Sequence, residues 1–221
     1  MKVLEDVKVL EQFVSWQGEG ENQGKRAVFY RFAGCNLRCH WCDTKYSWRV
    51  NQGELSSAVI PDDIGQYFLV VVTGGEPLIE GNRGMVSRLL SELNEIGWRG
   101  EVEVETNGTC LPLQGVYQFK LKYVVSPKPY GTVWEGWERL EHVDRVWKFV
   151  VGEETEEFVE RWLNRLGRRE RVWLMPMGSS VEEIGKNVGR VVSLAQRYNV
   201  NVSGRLHVMF GIAKKERGWG I

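Results

Sequence analysis

Cysteine, histidine and proline are all scarce in this chain of 221 residues, with four, three and six copies. Four cysteines are too few for the disulfide framework of a small secreted fold, and three of them crowd into eight residues, which suits a metal better than bridges. Net charge is missing too: 29 basic and 29 acidic residues leave no uniform basic field for nucleic acid, so no direct nucleic-acid partner is expected. Binding must come from a specific site. No run reaches the roughly 20 apolar residues of a membrane span. The N-terminal stretch MKVLEDVKVLEQF carries acids where a signal peptide would be apolar. These absences predict a soluble, cytoplasmic protein with no membrane partner. Repeats, low-complexity tracts and linkers are also lacking, so residues 1–221 are expected to form a single domain.

What is present is an α/β pattern. Strand-like runs occur at 27–32, 68–72, 102–106, 123–125, 145–151 and 171–174, several of them near-continuous apolar stretches of the kind that parallel strands buried on both faces require. Helical periodicity fills 83–96, 155–166 and 180–198. The first two helices end at Gly97 and Gly167, and in the second Phe158, Trp162 and Leu166 recur every four residues on one face. The segments LPLQGVYQFK and PKPYGTVWEGW are too short or too rich in Gly and Pro for further helices. About six parallel strands with about three helices, against the eight pairs of a full barrel, predict a partial, open TIM-like barrel. The unusual residues follow the strands, in AGCNLRCHWCDT, TGGEP, NGTC, SPKP and MPMG, so these loops are expected to converge on one mouth.

CNLRCHWC puts Cys35, Cys39 and Cys42 in one loop, with three residues between the first pair and two between the second. Thiolates are the soft ligands that iron–sulfur clusters and zinc prefer. Zinc would need His40 or the distant Cys110 as a fourth ligand, and His40 would have to fold back from its place beside Cys39. A four-iron cluster held by three cysteines instead leaves one iron open to a small molecule. Buried structural thiols are the blander alternative, but Asn, Arg, His and Asp around them make a poor core segment.

CNLRCHWC together with TGGEP at 73–77 resembles the signature of radical S-adenosylmethionine enzymes. SWQGEG at 15–20, Arg31, CDT at 42–44, ETNGT at 105–109, SPKP at 126–129 and the tail RLHVMFG followed by RG carry a closer resemblance, to the 7-carboxy-7-deazaguanine synthase family. The resemblance implies a radical S-adenosylmethionine core. In it a [4Fe-4S] cluster on Cys35, Cys39 and Cys42 cleaves S-adenosylmethionine, and the 5′-deoxyadenosyl radical starts the contraction of 6-carboxy-5,6,7,8-tetrahydropterin to 7-carboxy-7-deazaguanine. Ammonia is lost, the adenosylmethionine is regenerated, and the product serves the queuosine or archaeosine pathways of tRNA modification. It also implies a small-molecule pterin substrate, an electron donor such as flavodoxin or ferredoxin, Mg2+, and a homodimer.

Residue by residue, the resemblance implies that Trp41, Asp43, Gly74, Gly75, Glu76, Ser126, Pro127 and Lys128 hold S-adenosylmethionine. The two glycines would let backbone approach the methionine amine. Trp16, Gln17, Gly18, Glu19, Arg31, Thr73, Glu105 and His207 would meet the substrate. An unpaired Arg31 on an otherwise buried strand would be costly, so a substrate carboxylate is its natural partner, with Glu19 as the partner within the chain. Thr44 would ligate magnesium through its hydroxyl, or else cap a turn after Asp43. Glu105 would hydrogen-bond the substrate ring, or stabilise the Asn107–Gly108 turn. Where the family often has Gln before the Pro of LMPMG this chain has Met175, so no side-chain contact to the cofactor is expected there, and Cys110 is expected to be structural. Two alternatives remain at this stage, a glycyl-radical activase of the same superfamily and a zinc-stabilised binding module. QGEG and CDT favour the synthase.

Overall fold

The computed structural model describes residues 1–49 and 54–212. The RG of the tail, at 217–218, lies outside the described residues. Ten strands and five helices follow in the order β1 (Lys2–Val9), β2 (Glu11–Trp16), β3 (Arg26–Phe32), β4 (Ser56–Ile60), β5 (Leu69–Gly74), α1 (Glu80–Glu95), β6 (Glu101–Thr106), β7 (Lys120–Val125), α2 (Gly136–Arg139), β8 (Arg145–Val151), α3 (Glu156–Arg165), β9 (Val172–Pro176), α4 (Val181–Tyr198), β10 (Asn201–Val202) and α5 (Leu206–Met209).

Eight strands form one sheet in the order β10-β9-β8-β7-β6-β5-β3-β2. The six expected parallel strands are β3 and β5 to β9, paired in parallel throughout. The sheet gains a two-residue parallel strand, β10, at one end and an antiparallel strand, β2, at the other. Among the described residues its two ends are unpaired with each other, so the barrel is open, as expected.

Strand alternation sends residues to two faces. One carries Val28, Tyr30, Phe32, Val70, Val72, Val102, Val104, Phe149, Val151 and Leu174, which pack on α1, α3 and α4 through Leu89, Leu93, Trp162, Leu163 and Leu194. The ring of Trp162 lies 5.1 Å from that of Trp147, confirming the apolar face read from the every-fourth spacing in α3. Helix α4 starts where the Ser180 hydroxyl accepts the Glu183 amide at 3.2 Å, and it ends at Asn199, whose φ of 51° is left-handed. The other face bears a small apolar floor of Ala27, Phe29, Leu69 and Val71 with Phe13. Above and beside it the sheet turns polar residues inward, and there the site is built.

Three departures from the expected elements have physical causes. Strands β1 and β4 form a separate antiparallel pair that adds Leu4, Val7, Val9, Ala58 and Ile60 to the core. A register irregularity between Leu4 and Lys8 breaks the alternation that would have announced β1. Strand β2 is a half-buried edge, and α2 is a single turn at the end of PKPYGTVWEGW. Among the described residues no helix is long and apolar enough to cross a membrane.

Candidate functional site

The loops after β3, β5, β6, β7, β8 and β9 do converge. The Glu76 amide donates to Gly34 O at 2.7 Å, Asn107 Nδ2 to Asn36 Oδ1 at 3.0 Å, and His40 joins the Tyr130 hydroxyl at 2.8 Å and Glu154 at 2.7 Å. Gly74 has a φ of +146°, and a Cβ there would lie 2.1 Å from Phe32 O; one on Gly75 would lie 2.1 Å from Gly34 O. The glycine pair is therefore demanded first by the chain's own cysteine loop, not by a ligand.

Glu76 also departs from expectation. It is fully buried, accepting from Leu78 N at 3.0 Å, the Thr106 hydroxyl at 2.8 Å and Asn107 N at 2.7 Å. Its carboxylate locks the TGGEP turn to ETNGT and has no open face for a cofactor.

Cys35, Cys39 and Cys42 turn back on one another, Cys42 N donating to Cys39 O at 3.0 Å and Leu37 N to Cys35 Sγ at 3.4 Å. Burial pushes the Cys35 and Cys39 thiols up; Cys35 also feels the charge of Glu76 and Cys42, and Cys39 that of Cys42 and Cys35. Three crowded thiolates are thus costly alone and are relieved by a shared cationic metal centre, which fits an iron–sulfur cluster. Cys110 feels Glu76 and Arg83 but none of the three, and its sulfur meets the Thr109 hydroxyl at 3.6 Å. Lys128 folds back to Ser126 O at 2.6 Å, and burial draws its amine down to about 8, against the pull of Cys39. The rings of Trp41 and Tyr130 stand 5.1 Å apart beside the loop.

Around the mouth runs a chain of alternating charges. Arg31 Nε donates to Glu11 Oε1 at 2.5 Å, and the register places Arg31 beside Thr73, whose hydroxyl donates to Glu105 at 2.7 Å. Lys148 bridges Glu105 at 3.0 Å and Glu19 at 2.6 Å. Arg205 then donates to Glu19 at 3.0 Å, to Asp43 and to Gly178 O. His207 Nε2 lies 3.7 Å from both Glu19 and Asp43. Despite burial, Lys148 and Arg205 hold the Glu19 carboxyl far below its ordinary range, and His207 and Arg205 lower Asp43 to about 2. Glu19, Asp43 and His207 offer ligand atoms within 4.8 Å of one another, but Arg205 already neutralises both carboxylates.

Several of the expected residues meet here. Gln17 reaches Glu105 at 3.4 Å, and Gly18 is packed so closely that a Cβ would lie 2.2 Å from His207 Nδ1. Others need correction. The partner of Arg31 is Glu11, not Glu19, because β2 pairs antiparallel with β3 in a register that sets Glu11 opposite Arg31. Trp16 belongs to the outward set of β2, is 51 % exposed, and lines an apolar groove of about 340 Å³ with Gly24, Leu206, Phe210 and Ile212 rather than the mouth. Asp43 is committed to Arg205 and His207. Thr44 makes no capping bond to the turn that follows it; its hydroxyl meets Cys42 Sγ at 3.5 Å.

Lys148, Arg205 and Glu11 were not anticipated. Lys148 in RVWKFVV carried the same signal as Arg31, a cation inside a buried strand. VEVET gave another, acids at every second position of a central strand. The first of these acids, Glu103, accepts from Asn22 at 2.9 Å, and burial followed by repulsion from Glu105 raises it to about 7 from 4.5. A carboxyl raised on folding stabilises the fold fully below its unfolded value and loses that contribution as pH rises through the folded one. Glu103→Gln is therefore expected to melt higher than the parent at about pH 8 and to match it at about pH 5. Equal melting shifts at both pH values would show that Glu103 does not titrate in this window.

Residues 17–113 match the family model described as a 4Fe-4S single cluster domain. The 7-carboxy-7-deazaguanine synthase of Pyrobaculum aerophilum is 40% identical, over 95% of this chain and 96% of that protein. The enzyme of the same name from Hyperthermus butylicus is 36% identical over 92% of each. The crystal structure of QueE from Escherichia coli superposes with a TM-score of 0.62 at 23% identity, covering 90% of this chain and 93% of that one.

Proposed function

Since the chain belongs to the 7-carboxy-7-deazaguanine synthase family, we propose that the alternating charges at the mouth hold a carboxylated pterin over the cysteine loop. The chain is a radical S-adenosylmethionine lyase of deazapurine biosynthesis, contracting 6-carboxy-5,6,7,8-tetrahydropterin to 7-carboxy-7-deazaguanine and ammonia with a [4Fe-4S] cluster and S-adenosylmethionine. When bound, these two supply the one-electron chemistry and the 5′-deoxyadenosyl radical.

Everything else falls to this chain's residues. Cys35, Cys39 and Cys42 hold the cluster. Trp41, Ser126, Pro127 and Lys128 flank the cofactor, and Gly74 and Gly75 hold the TGGEP backbone against the cluster loop. The observation that carries the substrate's placement is the state of Arg31. Lys148 and Arg205 have acceptors on each side, whereas the Nη1 and Nη2 groups of Arg31 meet no acceptor among the described residues. A fork of two free N–H groups in a half-buried mouth matches one carboxylate. Gln17, Thr73, Glu105 and His207 then face the ring, and Glu19 holds Lys148 and Arg205 in place. Anaerobically reconstituted protein given reductant, S-adenosylmethionine and the carboxytetrahydropterin is expected to yield 7-carboxy-7-deazaguanine by mass analysis; product formation insensitive to Arg31→Met would overturn this placement.

Thr44 supports a magnesium site, because its hydroxyl is not spent on the turn. That oxygen would serve as one hard ligand to magnesium, with substrate oxygens and waters supplying the rest. The ion would orient the pterin as a template, and losing such orientation costs on the order of a hundredfold in rate. Thr44→Val is expected to lower turnover by that order and to blunt stimulation by magnesium, with iron content unchanged. Identical magnesium responses in the two proteins would reduce Thr44 to a turn residue. The electron donor on this reading is a small redox protein of the flavodoxin or ferredoxin class, and the chain works as one domain, in the cytoplasm, as a homodimer.

A further inference from the structure

We infer that Glu11 is a positioning residue for the substrate carboxylate: it fixes the Arg31 guanidinium so that the carboxylate is taken end-on, through Nη1 and Nη2. The inference rests on the reading of Arg31 given above. Glu11 and Arg31 are opposed in the β2–β3 register, both on the inner face, and Glu11 Oε1 accepts Arg31 Nε at 2.5 Å. The same oxygen accepts the Tyr46 hydroxyl at 2.6 Å. Tyr46 belongs to the short turn Lys45–Ser47 that directly follows Thr44. One carboxylate oxygen therefore ties the arginine to the turn that carries the proposed magnesium ligand, and the ring of Phe13 limits the guanidinium from below, 5.9 Å from its carbon.

This geometry decides between two ways in which arginine holds a carboxylate. With Nε committed to Glu11, the side-on mode through Nε and one Nη is closed, and the end-on edge is what the mouth presents. Without Glu11 the long side chain regains its rotamers and both edges, and the substrate must order it on binding. The negative charge of Glu11 contributes in the opposite sense, since it repels an incoming carboxylate. Geometry and charge can thus be separated by substitution.

Glu11→Gln keeps an acceptor for Arg31 and Tyr46 but removes the charge, whereas Glu11→Ala removes both. Reconstituted enzyme is to be assayed for KM and kcat on the carboxytetrahydropterin, and for direct binding of the product 7-carboxy-7-deazaguanine by titration calorimetry. Glu11→Ala is expected to raise KM and weaken product binding by about tenfold, the loss of one charge-assisted contact. Glu11→Gln is expected to leave both nearly unchanged or to tighten them, while kcat and the affinity for S-adenosylmethionine stay at the parent value in both. Arg31→Met serves as the control. Unchanged product binding in Arg31→Met would overturn the substrate site itself and this inference with it. Weakened binding in Arg31→Met with unchanged binding in Glu11→Ala would overturn the role of Glu11 alone. Equal weakening in Glu11→Ala and Glu11→Gln, or a parallel fall in adenosylmethionine affinity, would assign Glu11 to charge balance or to the fold rather than to positioning.

Discussion

Cys39→Ser is expected to yield colourless protein without turnover after anaerobic reconstitution, whereas Cys110→Ser keeps the brown cluster, about four irons per chain as a four-iron centre requires, and activity. Cys39 is the most enclosed of the three loop cysteines and the centre of their turn, accepting the Cys42 amide. A serine oxygen is a far poorer ligand for iron, and Cys35 and Cys42 alone cannot hold the cluster. Cys110 stands apart: its charge environment comes from Glu76 and Arg83, and its backbone carbonyl accepts the Trp137 indole N–H at 2.9 Å. Its serine variant should therefore cost at most some local packing. Loss of iron from both variants in equal measure would make Cys110 a ligand and remove the open coordination position on which the chemistry depends.

Lys148→Met is the second large effect, and it acts on the fold. The ammonium is buried between Glu19 and Glu105, within 3.0 Å of each; Glu19 also has Arg205, whereas Glu105 meets no other cation among the described residues. Removing one partner of a buried pair leaves uncompensated charge inside and typically costs about 3–5 kcal/mol. Here two carboxylates lose their shared cation, next to Glu103, which already resists ionisation. A domain of ordinary stability has only about 5–15 kcal/mol to lose, so the midpoint of denaturation should fall steeply. The double variant Lys148→Met with Glu105→Gln should recover part of the loss, because the pair is coupled. A loss under about 1 kcal/mol, as exposed ion pairs show, would mean that water reaches Lys148 and that the charges at the mouth do not form a closed network.

The strands and helices that bear one continuous apolar face were legible from residue types alone. Val70 to Val72 and the Phe158, Trp162 and Leu166 series have no other place to go than the core. Strand β1 was not legible, since Leu4, Val7 and Val9 follow neither period, and β10 is two residues long. The cysteine loop was readable because its spacing is local. Glu11, Lys148 and Arg205 were not, because their meaning depends on partners 20, 129 and 186 residues away. Misplacement of Trp16 has a related cause: motif membership put it in the site, while strand parity turned its ring outward. Glu76 was credited to the cofactor for the same reason, although Thr106 and Asn107 enclose it.

The most direct measurement is the ratio of 7-carboxy-7-deazaguanine formed to S-adenosylmethionine consumed by the reconstituted protein, with reductant, magnesium and excess carboxytetrahydropterin. Regeneration of the adenosylmethionine requires many products for each molecule consumed, with one ammonia released for each product. Stoichiometric cleavage of S-adenosylmethionine to 5′-deoxyadenosine, with no deazaguanine formed from the pterin, would contradict the assignment of the charged mouth above the cysteine loop as a ring-contracting site.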